Sequence, residues 1–220
     1  MRKYNYSLKK FFPCLFLICL CAGCSSSSVP VNLSKAKKQI SFYYESGQYQ
    51  AELDLIIQDA MEEFNKMPIK DSSAVVFDVD ETALSNYQAI KQVDFGYVPE
   101  LWDKWVLQAK APAIDDTKDL YHYLLQKKIH IIFLSARNPE QYEATYKNLV
   151  SAGYTKFDTL IVRSKNNIDT PAGVFKNVER IVLSNLGYNI IGSVGDQLSD
   201  FQGENVGLVV KLPNYMYLTE

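Results

Sequence analysis

The stretch VVFDVDETALSN, from Val75 to Asn86, joins a run of strand-forming residues to a group of carboxylates. Asp78 and Asp80 are one residue apart, and Glu81 follows directly. Like charges this close raise one another's pKa and repel. A chain that ends a hydrophobic strand in three carboxylates therefore needs a cation or a chemical role for them.

Apolar runs elsewhere in the chain predict further strands. The unbroken run SAVVFDV indicates a strand that is buried on both faces. Similar runs are IHIIFLS, FDTLIVR, YNIIGSVGD and VGLVVKL. Helical patterns separate most of them, in DDTKDLYHYLLQKK, RNPEQYEATYKNLVSAG and GVFKNVERIVLSNLG. This alternation predicts an α/β fold with a Rossmann-like, mostly parallel sheet and helices on both faces.

Two segments lie outside this alternation. Residues 34–66 carry a helical pattern that is interrupted near Gly47. Residues 84–110 are mixed in pattern and rich in aromatic side chains. We predict that these two segments form a small helical cap, and that residues 34–220 form one domain.

The N-terminus has the features of a targeting signal. Basic residues lead into FFPCLFLICLCAG, which is too short to be a permanent membrane span. Small residues precede Cys24 and serines follow it, so the segment resembles a bacterial lipoprotein signal. We predict a signal peptide over residues 1–23, lipidation of Cys24 and a tether over residues 24–33. The protein would then be anchored to a membrane of the bacterial cell envelope, at the outer membrane or cell surface. A plain secretory signal cut nearby is the alternative.

Composition excludes some classes of protein. All four cysteines lie in the N-terminal segment, so the processed chain can form no intrachain disulfide. The chain has 23 basic and 25 acidic residues, and four of the basic residues lie in that segment. Removal of the segment leaves 19 basic residues against 25 acidic ones, so the net charge of the processed chain is −6. A nucleic-acid-binding protein needs a basic surface, so we predict no nucleic-acid partner.

Polar side chains cluster at the predicted strand ends. Asp78 and Asp80 follow the first strand, Ser135 and Arg137 the second, and Asp196 and Asp200 the fourth. Lys176 lies in the helix before the fourth strand. In open parallel sheets, ligands bind at the carboxyl ends of the strands, near the point where strand order reverses. We therefore expect these side chains to meet at one edge of the sheet.

The residue types in this cluster suit phosphoryl chemistry. The aspartates offer only oxygen ligands, which favour a hard cation such as Mg²⁺, and that ion would offset their mutual repulsion. A carboxylate can attack phosphorus to form an acyl phosphate, while a cation, a lysine and a hydroxyl stabilise the developing charge. A second acid can protonate the leaving alcohol and later activate water.

Taken together, the motifs resemble the haloacid dehalogenase superfamily in its phosphatase branch, and in particular the class C and plant-type acid phosphatases. The resemblance covers roughly residues 48–218 and rests on FDVDETALSN, FLSAR, VFKNVER, GYNIIGSVGDQLSDFQG and KLPNYMY. It implies hydrolysis of small phosphate monoesters, with Asp78 as the nucleophile and Asp80 as the general acid and base. Ser135 and Lys176 would bind the phosphate.

The same resemblance implies a Mg²⁺ site made by Asp78, the backbone carbonyl of Asp80 and Asp196, with Asp200 in direct or outer-shell support. Lys165 is an alternative to Lys176 as the lysine that binds the phosphate. The aromatic residues Trp102, Trp105 and Tyr217 are expected to pack in the core or cap. If they instead stack on the substrate, nucleoside monophosphates become candidate substrates.

Two other functions remain open at this point. A phosphotransferase or mutase would use the same aspartyl-phosphate intermediate. A non-catalytic surface lipoprotein would keep the fold as a storage, adhesion or ligand-binding scaffold. Assembly of the chain into a homo-oligomer is a further possibility.

Overall fold

A computed structural model describes residues 30–219 of the chain. The predicted signal peptide, the lipidation of Cys24 and most of the predicted tether lie outside these residues. Within residues 30–219, every helix is too short or too polar to span a bilayer.

Five parallel strands form one sheet in the order β3-β2-β1-β4-β5. In chain order they are Ser73–Phe77 (β1), His130–Leu134 (β2), Thr159–Ile161 (β3), Asn189–Gly195 (β4) and Leu208–Lys211 (β5). All five residues of β1 are buried, as its unbroken apolar run predicted. The chain moves outward from β1 to β3 and then returns to the other side of β1 at β4. The strand order therefore reverses between β1 and β4, at the centre of the sheet.

Seven α-helices lie within the described residues. They are Leu33–Glu45 (α1), Gln48–Lys66 (α2), Tyr87–Gln92 (α3), Pro99–Gln108 (α4), Asp115–Gln126 (α5), Tyr142–Ser151 (α6) and Ala172–Asn185 (α7). Two short 3₁₀ helices cover Pro139–Gln141 and Leu198–Phe201. The predicted break near Gly47 is confirmed: its φ of 88° lies in the left-handed region that favours glycine, and it separates α1 from α2.

Both faces of the sheet are covered by helices. On one face, Val75 and Phe77 of β1 belong to the main hydrophobic core, to which α2 and α5 contribute. On the other face, Ala74 packs in a smaller cluster with Phe175 and Leu183 of α7. Successive side chains of a strand point to opposite faces, so one apolar run serves both layers. The predicted α/β fold with helices on both faces is confirmed.

Helix α2 has a different place from the one predicted for it. Its apolar stripe, Leu53, Ile57, Ala60 and Phe64, is buried in the main core with the sheet. The helix is therefore a layer of the core and not part of a cap over the strand ends. A stripe at this spacing shows that a helix buries one face, but it does not show which surface covers that face.

The segment 84–110 lies beside the strand ends. It contains α3 and α4, and Ile90, Trp102 and Trp105 from these helices line the cavity described below. Tyr87 of α3 stacks on Tyr44 of α1, with ring centroids 4.8 Å apart. Within residues 34–66, α1 thus packs on this segment, whereas α2 packs in the main core.

Candidate active site

Three aspartates meet where β1 and β4 end. Carboxylate oxygens of Asp78, Asp196 and Asp200 all lie within 4.8 Å of one another, and all three residues are buried. The backbone N–H of Asp78 donates to the carbonyl of Val194 at 2.9 Å, which continues the pairing of β1 with β4 beyond the last paired residues. Burial, together with the charges of its neighbours, raises the pKa of Asp78 well above its ordinary value even though Lys176 opposes the shift.

Lys176, in the second turn of α7, reaches into this group. Its ammonium donates to Asp78 and, at 2.5 Å, to Oδ1 of Asp200. Burial works against the charged ammonium, but the two carboxylates outweigh it and the pKa of Lys176 is raised. Lys165, the rival candidate, is exposed in the loop before α7 and does not line the cavity.

Asp80 is held by two side chains. Arg137 makes a two-point contact, from Nη2 to Oδ1 at 2.6 Å and from Nε to Oδ2 at 3.0 Å. Asn86 donates from Nδ2 to Oδ1 at 2.8 Å. The carboxylate is thus fixed in direction by groups from the loop after β2 and from the start of α3.

Glu81, the third carboxylate of the opening stretch, shares the amide of Asn86 with Asp80, since Nδ2 of Asn86 also donates to Oε2 of Glu81 at 3.3 Å. Its φ of 55° lies in the left-handed region, which is uncommon for a residue other than glycine. Its side chain is buried and accepts from Asn86 N–H at 2.6 Å and from the hydroxyl of Tyr217 at 2.5 Å. Burial first, and then the charges of Asp80 and Asp196, raise the pKa of Glu81 to about 8.

Asp196 accepts from amides. Nδ2 of Asn214 and Nε2 of Gln197 each donate to its Oδ2 at 2.6 Å, and the hydroxyl of Thr82 lies 3.4 Å from its Oδ1. Burial and the charge of Asp200 raise the pKa of Asp196 to about 6. Oδ2 of Asp196 therefore accepts two short hydrogen bonds, whereas Oδ1 has only the long contact with Thr82.

Ser135 is buried at the end of β2. Its backbone N–H donates to the carbonyl of Ile161 at 2.9 Å, and its Oγ accepts from the backbone N–H of Arg137 at 3.2 Å. This arrangement leaves the hydroxyl hydrogen of Ser135 available to an acceptor in the cavity.

A cavity of about 500 Å³ opens over these groups. The side chains predicted from the sequence all line it, namely Asp78, Asp80, Ser135, Arg137, Lys176, Asp196 and Asp200. Aromatic side chains line another part of it, namely Phe95, Tyr97, Trp102, Trp105 and Tyr217. The structure therefore brings a region rich in charged side chains and an aromatic region into one space.

Sequence reasoning missed the amides that orient the acids. Asn86, Gln197 and Asn214 each donate to a carboxylate of the site and are buried or half-buried. Nothing in the local pattern separates them from surface amides. Asn86, however, lies within the opening stretch, where an amide five residues after Glu81 was a usable signal.

Comparisons with known proteins show the family of the chain. The family described as HAD superfamily, subfamily IIIB (acid phosphatase) matches residues 22–220. Acid phosphatase 1 from Solanum lycopersicum is 31% identical over 175 residues, which are 77% of this chain and 69% of that protein. Vegetative storage protein 1 from Arabidopsis thaliana is 32% identical over 178 residues, 78% of this chain and 66% of that protein.

A solved structure shares the fold. The class C acid phosphatase from Bacillus anthracis with tungstate bound superposes with a TM-score of 0.67 at 24% identity, over 83% of this chain and 86% of that one. The family match spans nearly the whole chain, and the sheet ends in the acidic groups described above. The chain belongs to the haloacid dehalogenase superfamily, subfamily IIIB, the acid phosphatases.

Proposed function

We propose that the protein hydrolyses small phosphate monoesters through an aspartyl-phosphate on Asp78, with Mg²⁺ as its cofactor. Its place among the acid phosphatases sets the reaction class. The single observation that carries the finer proposal is the meeting of Asp78, Lys176 and Ser135 in one cavity with a second acid, Asp80.

In the first step, a carboxylate oxygen of Asp78 attacks phosphorus and the bond from phosphorus to the leaving oxygen breaks. Lys176, which contacts Asp78, and the hydroxyl of Ser135 bind the phosphoryl oxygens as negative charge develops on them. Two unit charges 4 Å apart repel by about 4 kcal/mol at an effective dielectric of 20, so the approach of a phosphate to a carboxylate needs such groups.

Asp80 acts as the general acid in the first step and as the general base in the second. It gives a proton to the leaving alcohol in the first step. In the second, it takes a proton from the water that attacks the aspartyl-phosphate, which frees Asp78 and releases phosphate. Arg137 and Asn86 hold the carboxyl group of Asp80 in the lining of the cavity.

The donor set fits a hard divalent ion. Asp78, Asp196 and Asp200 supply only oxygen atoms, and burial beside other acids raises the pKa of both Asp78 and Asp196. Groups that resist ionisation for this reason are stabilised as carboxylates when a cation joins them. Asp78, Asp196 and the backbone carbonyl of Asp80 would hold Mg²⁺, with Asp200 in support through Lys176. The ion would supply positive charge against carboxylate and phosphate repulsion.

The aromatic part of the cavity supports substrates with a flat or apolar leaving group. Trp105 and Tyr217 line the cavity but use their polar atoms within the protein. Trp102 is half-buried on the same wall. Nucleoside monophosphates fit these features, because a base can stack on an indole ring.

Release of inorganic phosphate from a panel of monoesters tests the proposal. We expect turnover of aryl and nucleoside monophosphates, its loss after a chelator is added, and its return with Mg²⁺. Two variants are compared. Asp196→Asn should not regain activity at the Mg²⁺ concentration that restores the wild-type protein. Asp59→Asn, on the exposed side of α2, should regain activity at that concentration. Full activity in the presence of the chelator would remove the metal from the proposal.

One comparison favours a second candidate. Because a relative is named a vegetative storage protein, a non-catalytic role on this fold is the main alternative. It predicts no phosphate release from any member of the panel, with or without Mg²⁺. A phosphotransferase would instead give a phosphorylated product when an acceptor alcohol is added to the assay.

A further inference from the structure

Helix α4 is tied to Asp80 by hydrogen bonds. The indole N–H of Trp105 donates to Oδ1 of Asn86 at 2.8 Å, and Nδ2 of Asn86 donates to Oδ1 of Asp80 at 2.8 Å. Asn86 is fully buried, so water does not compete for its amide. Two hydrogen bonds therefore connect a wall of the cavity to the second acid of the site.

The direction of this connection follows from the donors and acceptors. An amide has one accepting end and one donating end, and an indole N–H can only donate. Trp105 therefore faces the oxygen of Asn86, and the amide nitrogen must face Asp80. The reversed amide would set its oxygen against a carboxylate and its N–H₂ against the indole N–H, and both contacts are costly where the dielectric is low.

A second connection reaches the same carboxylate through Arg137. Arg137, which pairs with Asp80, donates from Nη1 to the hydroxyl of Thr145 at 2.9 Å. That hydroxyl donates to the carbonyl of Gln141 at 2.7 Å, and Nε2 of Gln141 donates to Asp103 at 2.8 Å. Asp103 is on α4. Both partners of Asp80 are thus linked to one helix.

We propose that Trp105 is a positioning residue for Asp80, acting through Asn86, and that it makes proton transfer to the leaving group depend on the docked position of α4. This inference rests on the acid and base role proposed for Asp80. In the step concerned, the phosphorus–oxygen bond breaks and the leaving oxygen takes the proton of Asp80. Helix α4 also lines the cavity through Trp102, so one helix both borders the cavity and connects to the proposed proton donor.

Trp105→Phe tests this inference, because it keeps an aromatic ring and removes the N–H. A leaving group that needs a proton, such as an alkyl alcohol, depends on a well-placed acid, whereas p-nitrophenolate departs without one. We expect kcat/KM to fall about tenfold for an alkyl monophosphate and by less than about twofold for p-nitrophenyl phosphate. Inhibition by inorganic phosphate, which reports binding alone, should be unchanged.

Leu107→Ala is the control on the same helix, because Leu107 is on the exposed side of α4 and does not line the cavity. It should leave kcat/KM for both substrates unchanged. In an Asn86→Ala background, Trp105→Phe should have little further effect on either substrate, because the connection is already broken. The melting temperature of each variant checks that the fold is kept.

Equal losses for the two substrates in Trp105→Phe would overturn the inference, since they would indicate a packing role only. If Trp105→Phe does not fold, Asn86→Ala is compared in the same way, and equal losses there have the same meaning. Asp80→Asn separates this inference from the proposed function. If Asp80→Asn shows no preference for the better leaving group, the acid role of Asp80 itself is wrong.

Discussion

At the level of single residues, the site depends on how two buried cations are shared among the carboxylates. Lys176 contacts Asp78, and Arg137 pairs with Asp80. Asp196 accepts from amide and hydroxyl groups in the described part of the chain and has no such ion pair. Burial first, and then the charge of Asp200, raise the pKa of Asp196 to about 6, and a further cation at the site would oppose this shift.

Asp78→Asn is expected to abolish turnover and to keep the fold. The amide has nearly the same size, but it is a poor nucleophile, so kcat should fall by at least about 10³-fold. Stability should change little, because removing one charge relieves repulsion from Asp196 and Asp200 while it weakens the contact with Lys176. A phosphatase assay and a thermal unfolding curve measure both effects.

The control for this prediction is Asp59→Asn, an exposed residue of α2, which should keep full activity. Wild-type rates in Asp78→Asn would show that another group attacks phosphorus.

At the level of elements, one histidine links the loops at the amino ends of three strands. His130 begins β2, and its Nδ1 lies 2.6 Å from Oδ1 of Asp158, just before β3. Its Nε2 lies 2.8 Å from the carbonyl of Asp71, just before β1. Both partners are acceptors, so both bonds form only when the ring is protonated at both nitrogens. The bond to Asp158 is the main reason that the pKa of His130 is raised.

The His130 contacts should make stability depend on pH. A raised pKa in the folded state means that the stabilisation is fully present below the unfolded value of about 6.5 and is lost as pH rises through the folded value. His130→Gln should thus lower the free energy of unfolding more near pH 5.5 than near pH 9. The difference should be about 1 kcal/mol or less, because the side chain is 37% exposed.

Urea unfolding at the two pH values measures this difference. Gln126→Ala, at an exposed position of α5, is the control, because it removes no titratable group and should have the same effect at both pH values. An equal effect of His130→Gln at both values would mean that the ring is not charged in the folded state.

Helix α7 holds the loop that carries Asp200. Arg180, which is fully buried, donates to the carbonyls of Asp200 at 2.7 Å, Glu204 at 3.1 Å and Gln202. Because these acceptors are backbone groups, the arginine acts as a clamp on the chain and not as an ion pair. One face of α7 thus supports the sheet, and another supports the loop after β4.

Arg180→Met is expected to lower the free energy of unfolding by about 3 kcal/mol. Three carbonyl groups lose a charged donor, and each such loss costs on the order of 1 kcal/mol or more. Chemical denaturation measures the change, with Lys147→Met on the exposed side of α6 as the control. A loss no larger than that of the control would mean that the loop finds other donors.

At the level of the whole molecule, the predicted lipid anchor lies outside the described residues and stays a prediction. We expect the full-length chain, expressed in bacteria, to sediment with membranes, and Cys24→Ser to release it to the soluble fraction. The physical reason is that the acyl chains supply the apolar area that holds the protein at a bilayer. If membrane association persists in Cys24→Ser with the signal still cleaved, the lipoprotein prediction is wrong. Homo-oligomer formation also stays a prediction.

Local patterns predicted much of the fold. The five apolar runs became the five strands, and Gly47 became a helix break, because period and backbone preference are properties of neighbouring residues. The cap was predicted less well. Residues 34–66 and 84–110 are both helical in part, and only packing shows that α2 supports the sheet while α3 and α4 line the cavity.

The sequence by itself determined the parallel sheet and the placement of acids, hydroxyl and lysine at one edge, because strand ends of a parallel sheet share an edge whatever the detailed packing. Only the tertiary structure decided which partner each acid meets. The contact of Lys176 with Asp78 spans 98 residues, and that of Tyr217 with Glu81 spans 136. Three carboxylates that look alike in the stretch DVDE thus differ because folding gives one a lysine, one an arginine and one only neutral donors.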